Sequence, residues 1–292
     1  MGEHEIDRGE GSFEGRKGVN IYYRYYRPIK VKGAIVLVHG FGEHSGRYEE
    51  MCGYFADFGL AVYIMDLRGH GRSGGPRWNP EIFDYYIYDL KKFVDMTKRS
   101  ESVDRVFMLA HSLGGMIALK YAIVHGGDLI GLIVSGPGLG YYMPLPIIGR
   151  VNVSITVLKI FEPLLAIGAK LLPNVHIPGT QVNKPPSQRA DDGNAMDPLV
   201  CYDLIKLRFA YESCKNVVWL RRNGRELKVP CLFLSGSRDT FVPFDAIKEF
   251  YDRAEVEDKD LISYKGFNHQ IFKARDKEIV YRDITKWLTP RL

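Results

Sequence analysis

Short uninterrupted apolar runs recur along the chain at Ala34–Val38, Ala61–Met65, Val106–Ala110, Leu129–Val134, Cys231–Leu234 and Leu261–Tyr264. Runs of this kind, without polar alternation, suit central strands of a parallel sheet covered on both faces. Between them, helical spacing of apolar positions predicts amphipathic helices over Arg47–Phe58, Tyr85–Lys98, Gly114–His125, Asp245–Ala254 and Lys277–Leu288, with Asp245 as the N-cap of its helix. Val19–Tyr26 alternates and is rich in Tyr, which predicts an edge strand. Strand and helix in alternation predict an α/β fold with a mostly parallel central sheet, flanking helices and right-handed crossovers.

The alternation stops after Gly136 and resumes near Val229. Residues 137–228 are too many for a loop and carry helical patterns of their own, so they are read as an inserted, mainly helical cap. The core then comprises 1–136 and 229–292. The insertion follows a strand end, which places it over the sheet edge where α/β folds carry their sites.

The sharpest chemical signal is Leu109-Ala-His-Ser-Leu-Gly-Gly115, which ends a strand and opens a helix. A serine on such a tight turn needs unusual backbone angles and small neighbours, which Gly114 and Gly115 supply; Ala110 stands where the usual pattern has Gly. Ser112 is the candidate nucleophile, and the Leu113 N–H at the helix start is a candidate oxyanion donor. A serine needs a base that is itself held in place. Of eight histidines only His269 follows position 176, in a loop after the last predicted strand. Asp239, just past the penultimate strand, is placed to accept the Nδ1 proton of that imidazole. The chain order Ser112, Asp239, His269 is the order of the α/β-hydrolase fold. A second oxyanion donor is expected from the loop His39-Gly-Phe-Gly-Glu-His-Ser-Gly46, at the Phe41 N–H, with Gly40 and Gly42 leaving room. His39 and His44 are read as structural, bonding neighbouring backbone. Asp66–Gly74 lacks the spacing of a phosphate-binding loop and reads as a self-bonded turn.

Composition narrows the alternatives. The 292 residues are 46% hydrophobic and 26% charged with a net charge of +5, and no basic run marks a nucleic-acid face. Cys52, Cys201, Cys214 and Cys231 are scattered and read as small buried hydrophobes; no metal-ligand spacing occurs, and no cofactor is expected. The N-terminal stretch has no apolar h-region, and Val151–Leu172, the most apolar segment, is interrupted by Lys159, Glu162 and Pro163. A cytoplasmic protein is expected, with peripheral membrane association allowed by the apolar cap.

The chain resembles the monoacylglycerol lipase and lysophospholipase branch of the α/β hydrolases. The resemblance rests on His39-Gly-Phe-Gly-Glu-His-Ser-Gly-Arg-Tyr48, Asp66–Gly74, Ala110–Gly115, Gly236–Val242 and Gly266–His269, and covers the core almost end to end. In the cap Asp197-Pro-Leu199 echoes the family, whereas much of Tyr141–Lys184 does not. The resemblance implies Ser112, Asp239 and His269 as the triad and Phe41 and Leu113 as oxyanion donors, in agreement with the reading of the residues.

The apolar Val151–Leu172 suits a helix buried on several sides or resting on lipid. Tyr141, Phe161 and Leu165 are the candidate substrate-lining side chains. The expected activity is hydrolysis of single-chain lipid esters, foremost monoacylglycerols, through an acyl-enzyme on Ser112. Alternatives are a lysophospholipase or general carboxylesterase, a proline-iminopeptidase-type peptidase using the acidic pair Asp191 and Asp192, and a non-catalytic small-ligand receptor. A transient contact of the cap with a membrane surface is the one further partner expected.

Overall fold

Eight strands make one sheet in the computed structural model of the chain, which describes residues 5–145, 149–152, 155–178, 180 and 196–292. In chain order they are β1 (Ile6–Glu14), β2 (Asn20–Pro28), β3 (Gly33–Val38), β4 (Leu60–Met65), β5 (Val106–His111), β6 (Leu129–Ser135), β9 (Cys231–Gly236) and β10 (Lys259–Tyr264). Across the sheet they run β1-β2-β4-β3-β5-β6-β9-β10. From β4 to β10 every pairing is parallel; β1 and β2 are antiparallel to their neighbours.

The central strands are buried on both faces, which is why their sequences do not alternate. In β3, Ala34, Val36 and Val38 pack on one side with Leu90 and Phe93 of α2 (Asp84–Glu101) and Ile117 of α3 (Leu113–His125). Ile35 and Leu37 pack on the other side with Phe55 of α1 (Glu49–Asp57) and Ile284 of α7 (Lys277–Leu288). Fully burying each such side chain contributes about 1.5–3 kcal/mol. α6 (Phe244–Arg253) adds Ile247 and Phe250 to the first layer. All six short apolar runs are strands and all five predicted helices are helices.

Three expectations about the elements are corrected here, and one about His44 below. β2 is not an edge strand, because Ile6–Glu14 pairs with it over its whole length, from Ile6 opposite Pro28 to Glu14 opposite Asn20. The edge strand β1 gives little apolar signal; its Gly9 and Gly11 lie beneath the rings of Tyr25 and Tyr23, which cover them in place of side chains. Asp245 is not an N-cap: α6 starts at Phe244 behind Pro243, and Asp245 lies in the first turn, where its charge still favours the helix dipole. Val151–Leu172 is not one helix but the end of a hairpin, β7 (Tyr142–Leu145) with β8 (Gly149–Asn152), followed by α4 (Ile155–Leu171).

α4 packs along α5 (Leu207–Asn223), and α5 carries Val217 and Leu220 into the same core cluster as the strands. The opposite face of α4 is open: Ile160, Leu164, Ile167 and Leu171 are 59–70% exposed. The segment leading back into α5 is pinned to the loop after β3, where the Cys201 N–H donates to the Gly42 carbonyl at 2.9 Å. His44 Nε2 stands 2.8 Å from Asp197 Oδ2, so His44 bonds a side chain rather than neighbouring backbone. All four cysteines are buried.

One buried ion pair ties the layers together. Arg68, after β4, meets Asp89 of α2 in a two-pronged contact at 2.7 and 3.0 Å, and the Arg16 N–H donates to the same carboxylate at 2.7 Å. Both side chains are 1% exposed. Arg68→Met should cost about 3–5 kcal/mol in a urea melt by stranding the carboxylate. Combining it with Asp89→Leu should recover a large part of that loss.

Candidate active site

The C-terminal ends of β3, β5, β6, β9 and β10 lie side by side, with Val38 opposite Ala110, His111 opposite Ser135 and Gly236 opposite Tyr264. The loops that leave these ends meet at one edge of the sheet, where α/β folds bind ligands. Ser112 joins β5 to α3 with φ +54° and ψ −115°, outside the regions an L-residue ordinarily adopts. Such a conformation costs on the order of 1–3 kcal/mol and survives only where the surroundings hold it. Here they do: the Ser112 N–H donates to the Ser135 carbonyl at 2.9 Å, and the Ser112 carbonyl accepts from Met116 and Gly138 at 3.1 and 3.2 Å. A Cβ on Gly114 would stand 2.2 Å from the Val38 carbonyl, so only glycine lets α3 approach β3 this closely.

The structure brings Ser112, His269 and Asp239 together although 127 positions separate the first two members in the chain order Ser112 to Asp239. Ser112 Oγ is 2.9 Å from His269 Nε2, and His269 Nδ1 is 2.6 Å from Asp239 Oδ2. The other oxygen, Asp239 Oδ1, accepts the N–H groups of Phe241 and Val242 at 2.8 and 3.0 Å. Burial alone would raise the Asp239 carboxyl, but the His269 hydrogen bond and charge, together with the two backbone donors, hold it below its ordinary range. An ionised Asp239 keeps the proton on Nδ1 and leaves the Nε2 lone pair facing the serine hydroxyl. Ser112 is half-buried and His269 is 8% exposed, so the pair is shielded yet reachable.

The loop after β3 passes beside Ser112, since a Cβ on Gly40 would stand 3.3 Å from Ser112 Cβ. His39 is fully buried, and burial holds its imidazole below its ordinary pKa and thus neutral. Its Nε2 accepts the Leu67 N–H at 2.9 Å, so the proton sits on Nδ1, which donates to the Gly40 carbonyl at 2.8 Å. In a trans peptide the N–H points opposite to the carbonyl. The Phe41 N–H therefore faces away from His39, and it donates to no group among the described residues. The Leu113 N–H opens α3 and is one of the donors a helix start leaves without an intrahelical partner. The Asp66–Gly74 turn is self-bonded as expected: Asp66 accepts the Ser45 and Arg72 N–H groups at 2.6 and 2.7 Å.

Of the candidate substrate-lining residues, Tyr141 and Leu165 pack against the core cluster, and the Tyr141 hydroxyl is 3.7 Å from where a Gly138 Cβ would stand. The Phe161 side chain, and Asp191 and Asp192, lie outside the described residues. Three residues of the site escaped the sequence reading. Gly136 has φ +49°, and a Cβ there would stand 3.0 Å from the His269 ring and 3.3 Å from Asp239 Oδ2. His111 packs its ring 4.8 Å from that of His269; burial pushes it down to about 3, so it stays neutral beside that ring. Glu43 is buried behind the Gly40 loop. Only the glycine after an apolar run gave any local signal, and it marked the end of the strand.

A serine, an imidazole and a carboxylate so arranged at the edge of this sheet define an α/β hydrolase. The chain belongs to the family described as serine aminopeptidase, S33, which matches residues 29–276. It is 29% identical over 286 residues to the monoacylglycerol lipase of Mycolicibacterium smegmatis, a match that covers 98% of each chain. With the monoglyceride lipase of Homo sapiens the identity is 29% over 277 residues, covering 94% of this chain and 88% of that one. The fold is that of Paleococcus ferrophilus monoacylglycerol lipase, with a TM-score of 0.72 at 24% identity over 99% of this chain and all of that one.

Gly136→Ala adds a methyl against the His269 ring. It should slow fluorophosphonate labelling of Ser112 by about 10²-fold, the order expected when a reacting group moves by an ångström. The thermal midpoint should fall by only a few degrees, which a melt run beside the labelling assay will read.

Proposed function

We propose that this enzyme hydrolyses monoacylglycerols, with Ser112 as nucleophile, His269 as base and Asp239 as the residue that orients it. The observation that carries this reading is the continuous contact from Ser112 Oγ through His269 to Asp239. Ser112 attacks the ester carbonyl while His269 Nε2 takes its proton and then delivers it to the departing glycerol oxygen. The charge that develops on the carbonyl oxygen is met by the Phe41 and Leu113 N–H groups. Water, deprotonated by the same imidazole, then releases the fatty acid and restores Ser112.

The choice of substrate is supported by two relatives named for monoacylglycerol or monoglyceride, similar over nearly the whole chain. The apolar run Val151–Leu172 within the segment 137–228 supports it as well. We read this segment as the cap that receives the acyl chain, with Tyr141, Phe161 and Leu165 lining its path. Each buried methylene contributes about 0.8 kcal/mol, so kcat/KM should climb with chain length before levelling off. The family description names an aminopeptidase, and a peptidase reading is separated by assaying an aminoacyl anilide beside the esters.

Ser112→Ala should leave the melting transition in place and remove hydrolysis of short and long esters alike, by about a million-fold in kcat. A well-folded variant that retained a tenth of the wild-type rate would assign the nucleophile elsewhere.

The open face of α4 supports a further part of the proposal, that the cap rests on the membrane surface from which such lipids must be drawn. Ile160, Leu164, Ile167 and Leu171 recur every three or four residues on that face, with Lys159 and Lys170 exposed on the same helix. Among the described residues no helix is long and apolar enough to cross a membrane, so contact would be peripheral. Replacing Ile160 and Leu164 together with Asp should abolish sedimentation with anionic phospholipid vesicles while leaving p-nitrophenyl acetate hydrolysis within about twofold, because surface changes of this kind scarcely affect the fold. Unchanged sedimentation would remove the membrane from the proposal.

A further inference from the structure

Glu43 is a buried carboxylate that the hydrolytic steps above do not use. Its side chain is 3% exposed, and burying an ionised group without partners is prohibitively costly. Its partners come from two separate loops. Oε2 accepts the Gly40 N–H at 3.2 Å and the Tyr48 hydroxyl at 2.7 Å, both in the segment after β3. Oε1 bonds the ammonium of Lys273, in the turn that follows His269. Arg47 Nε lies 3.8 Å from the same oxygen. Burial would raise the carboxyl, but Lys273, together with Tyr48, holds it well below its ordinary range, so it stays ionised.

Glu43 also grips Gly40 from its other side, since the Glu43 N–H donates to the Gly40 carbonyl at 3.4 Å. The Gly40 N–H, in the preceding peptide, is held by the Glu43 carboxylate, and the carbonyl of the Gly40–Phe41 peptide is held by this bond and by His39 Nδ1, so the plane of that peptide has little freedom to turn. That plane sets the direction of the Phe41 N–H. A turn of the peptide would take this donor off the oxyanion without disturbing Ser112 or His269. Lys273 extends the same constraint to the chain that carries the base.

We propose that Glu43 is a positioning residue for ester hydrolysis, its carboxylate tying the loop that presents the Phe41 N–H to the loop that carries His269, so that oxyanion donor and base stay in register across Ser112. The substrate does not touch it. Its effect falls on the transition state, where the oxyanion is fully formed, and not on ground-state binding. The inference rests on the Ser112 reading, which Ser112→Ala tests by itself.

The test uses the full chain, a short p-nitrophenyl ester and an alkyl trifluoromethyl ketone, which forms a tetrahedral oxyanion on the serine. Glu43→Gln keeps the side-chain volume but removes the charge that holds Lys273. It should lower kcat by at least about tenfold, a fraction of what losing an oxyanion donor outright costs. KM should stay within about threefold, and the inhibition constant of the ketone should rise by the same factor as kcat/KM falls. Glu43→Ala, which loses both acceptors, should fall further on the same line. Binding of a fatty acid, which carries no tetrahedral centre, should not change. A folded Glu43→Gln enzyme with the wild-type kcat would overturn the proposal, as would a loss of kcat with no weakening of the ketone. If neither Glu43 variant folds, Lys273→Met probes the tie from the other loop, and the same parallel loss is required of it.

Discussion

The close approach of α3 to the sheet is the constraint on which the site depends. Ser112 holds its left-handed backbone where α3 comes so close to the sheet that the Val38 carbonyl occupies the space of a Gly114 side chain and Pro137 that of a Gly115 side chain. That approach aims the hydroxyl out of the sheet edge and brings the start of α3 to the same point. The strain is sustained by a core in which β3, β5 and β6 are buried on both faces. Stability spent on one residue is small against the burial around it.

Electrostatics then sort the titratable groups around that point. His39, His70 and His111 are buried, and burial holds all three neutral, His70 and His111 down to about 3. Two buried carboxylates of the site, Asp239 and Glu43, are both kept ionised, each against the penalty of burial, but by different partners. Asp239 is held by His269 and two backbone N–H groups, whereas Glu43 is held chiefly by Lys273. One bonds the His269 imidazole and the other the Gly40 N–H and the Lys273 ammonium.

The segment between β6 and β9 is joined to this machinery from above. Cys201 bonds the Gly42 carbonyl and Asp197 meets His44, so the return of that segment rests on the same loop that carries Phe41. Its α4 turns one face to α5 and leaves the other apolar face exposed. A helix covered on one side and bare on the other is suited to a surface where lipid replaces water.

The sequence by itself determined the alternation of strands and helices, the place of the serine turn and the chain order of Ser112, Asp239 and His269. These are local properties: burial on both faces removes polar alternation, and a tight strand-to-helix turn demands small residues at fixed spacing. It also offered Phe41 and Leu113 as candidate donors, since a donor next to a glycine or at a helix start is a matter of a few neighbouring residues. The edge strand β1 was illegible because its glycines are covered by Tyr23 and Tyr25 of the next strand, a packing arrangement and not a pattern. The division of Val151–Leu172 into hairpin end and helix was equally hidden, because an apolar run does not say where it turns. Gly136, His111 and Glu43 carry no mark of their roles either. What each does is set by a partner far along the chain: His269 beside Gly136 and His111, and Lys273, 230 positions away, against Glu43. Only the folded sheet brings those ends together, and the partners of a buried charge are chosen there.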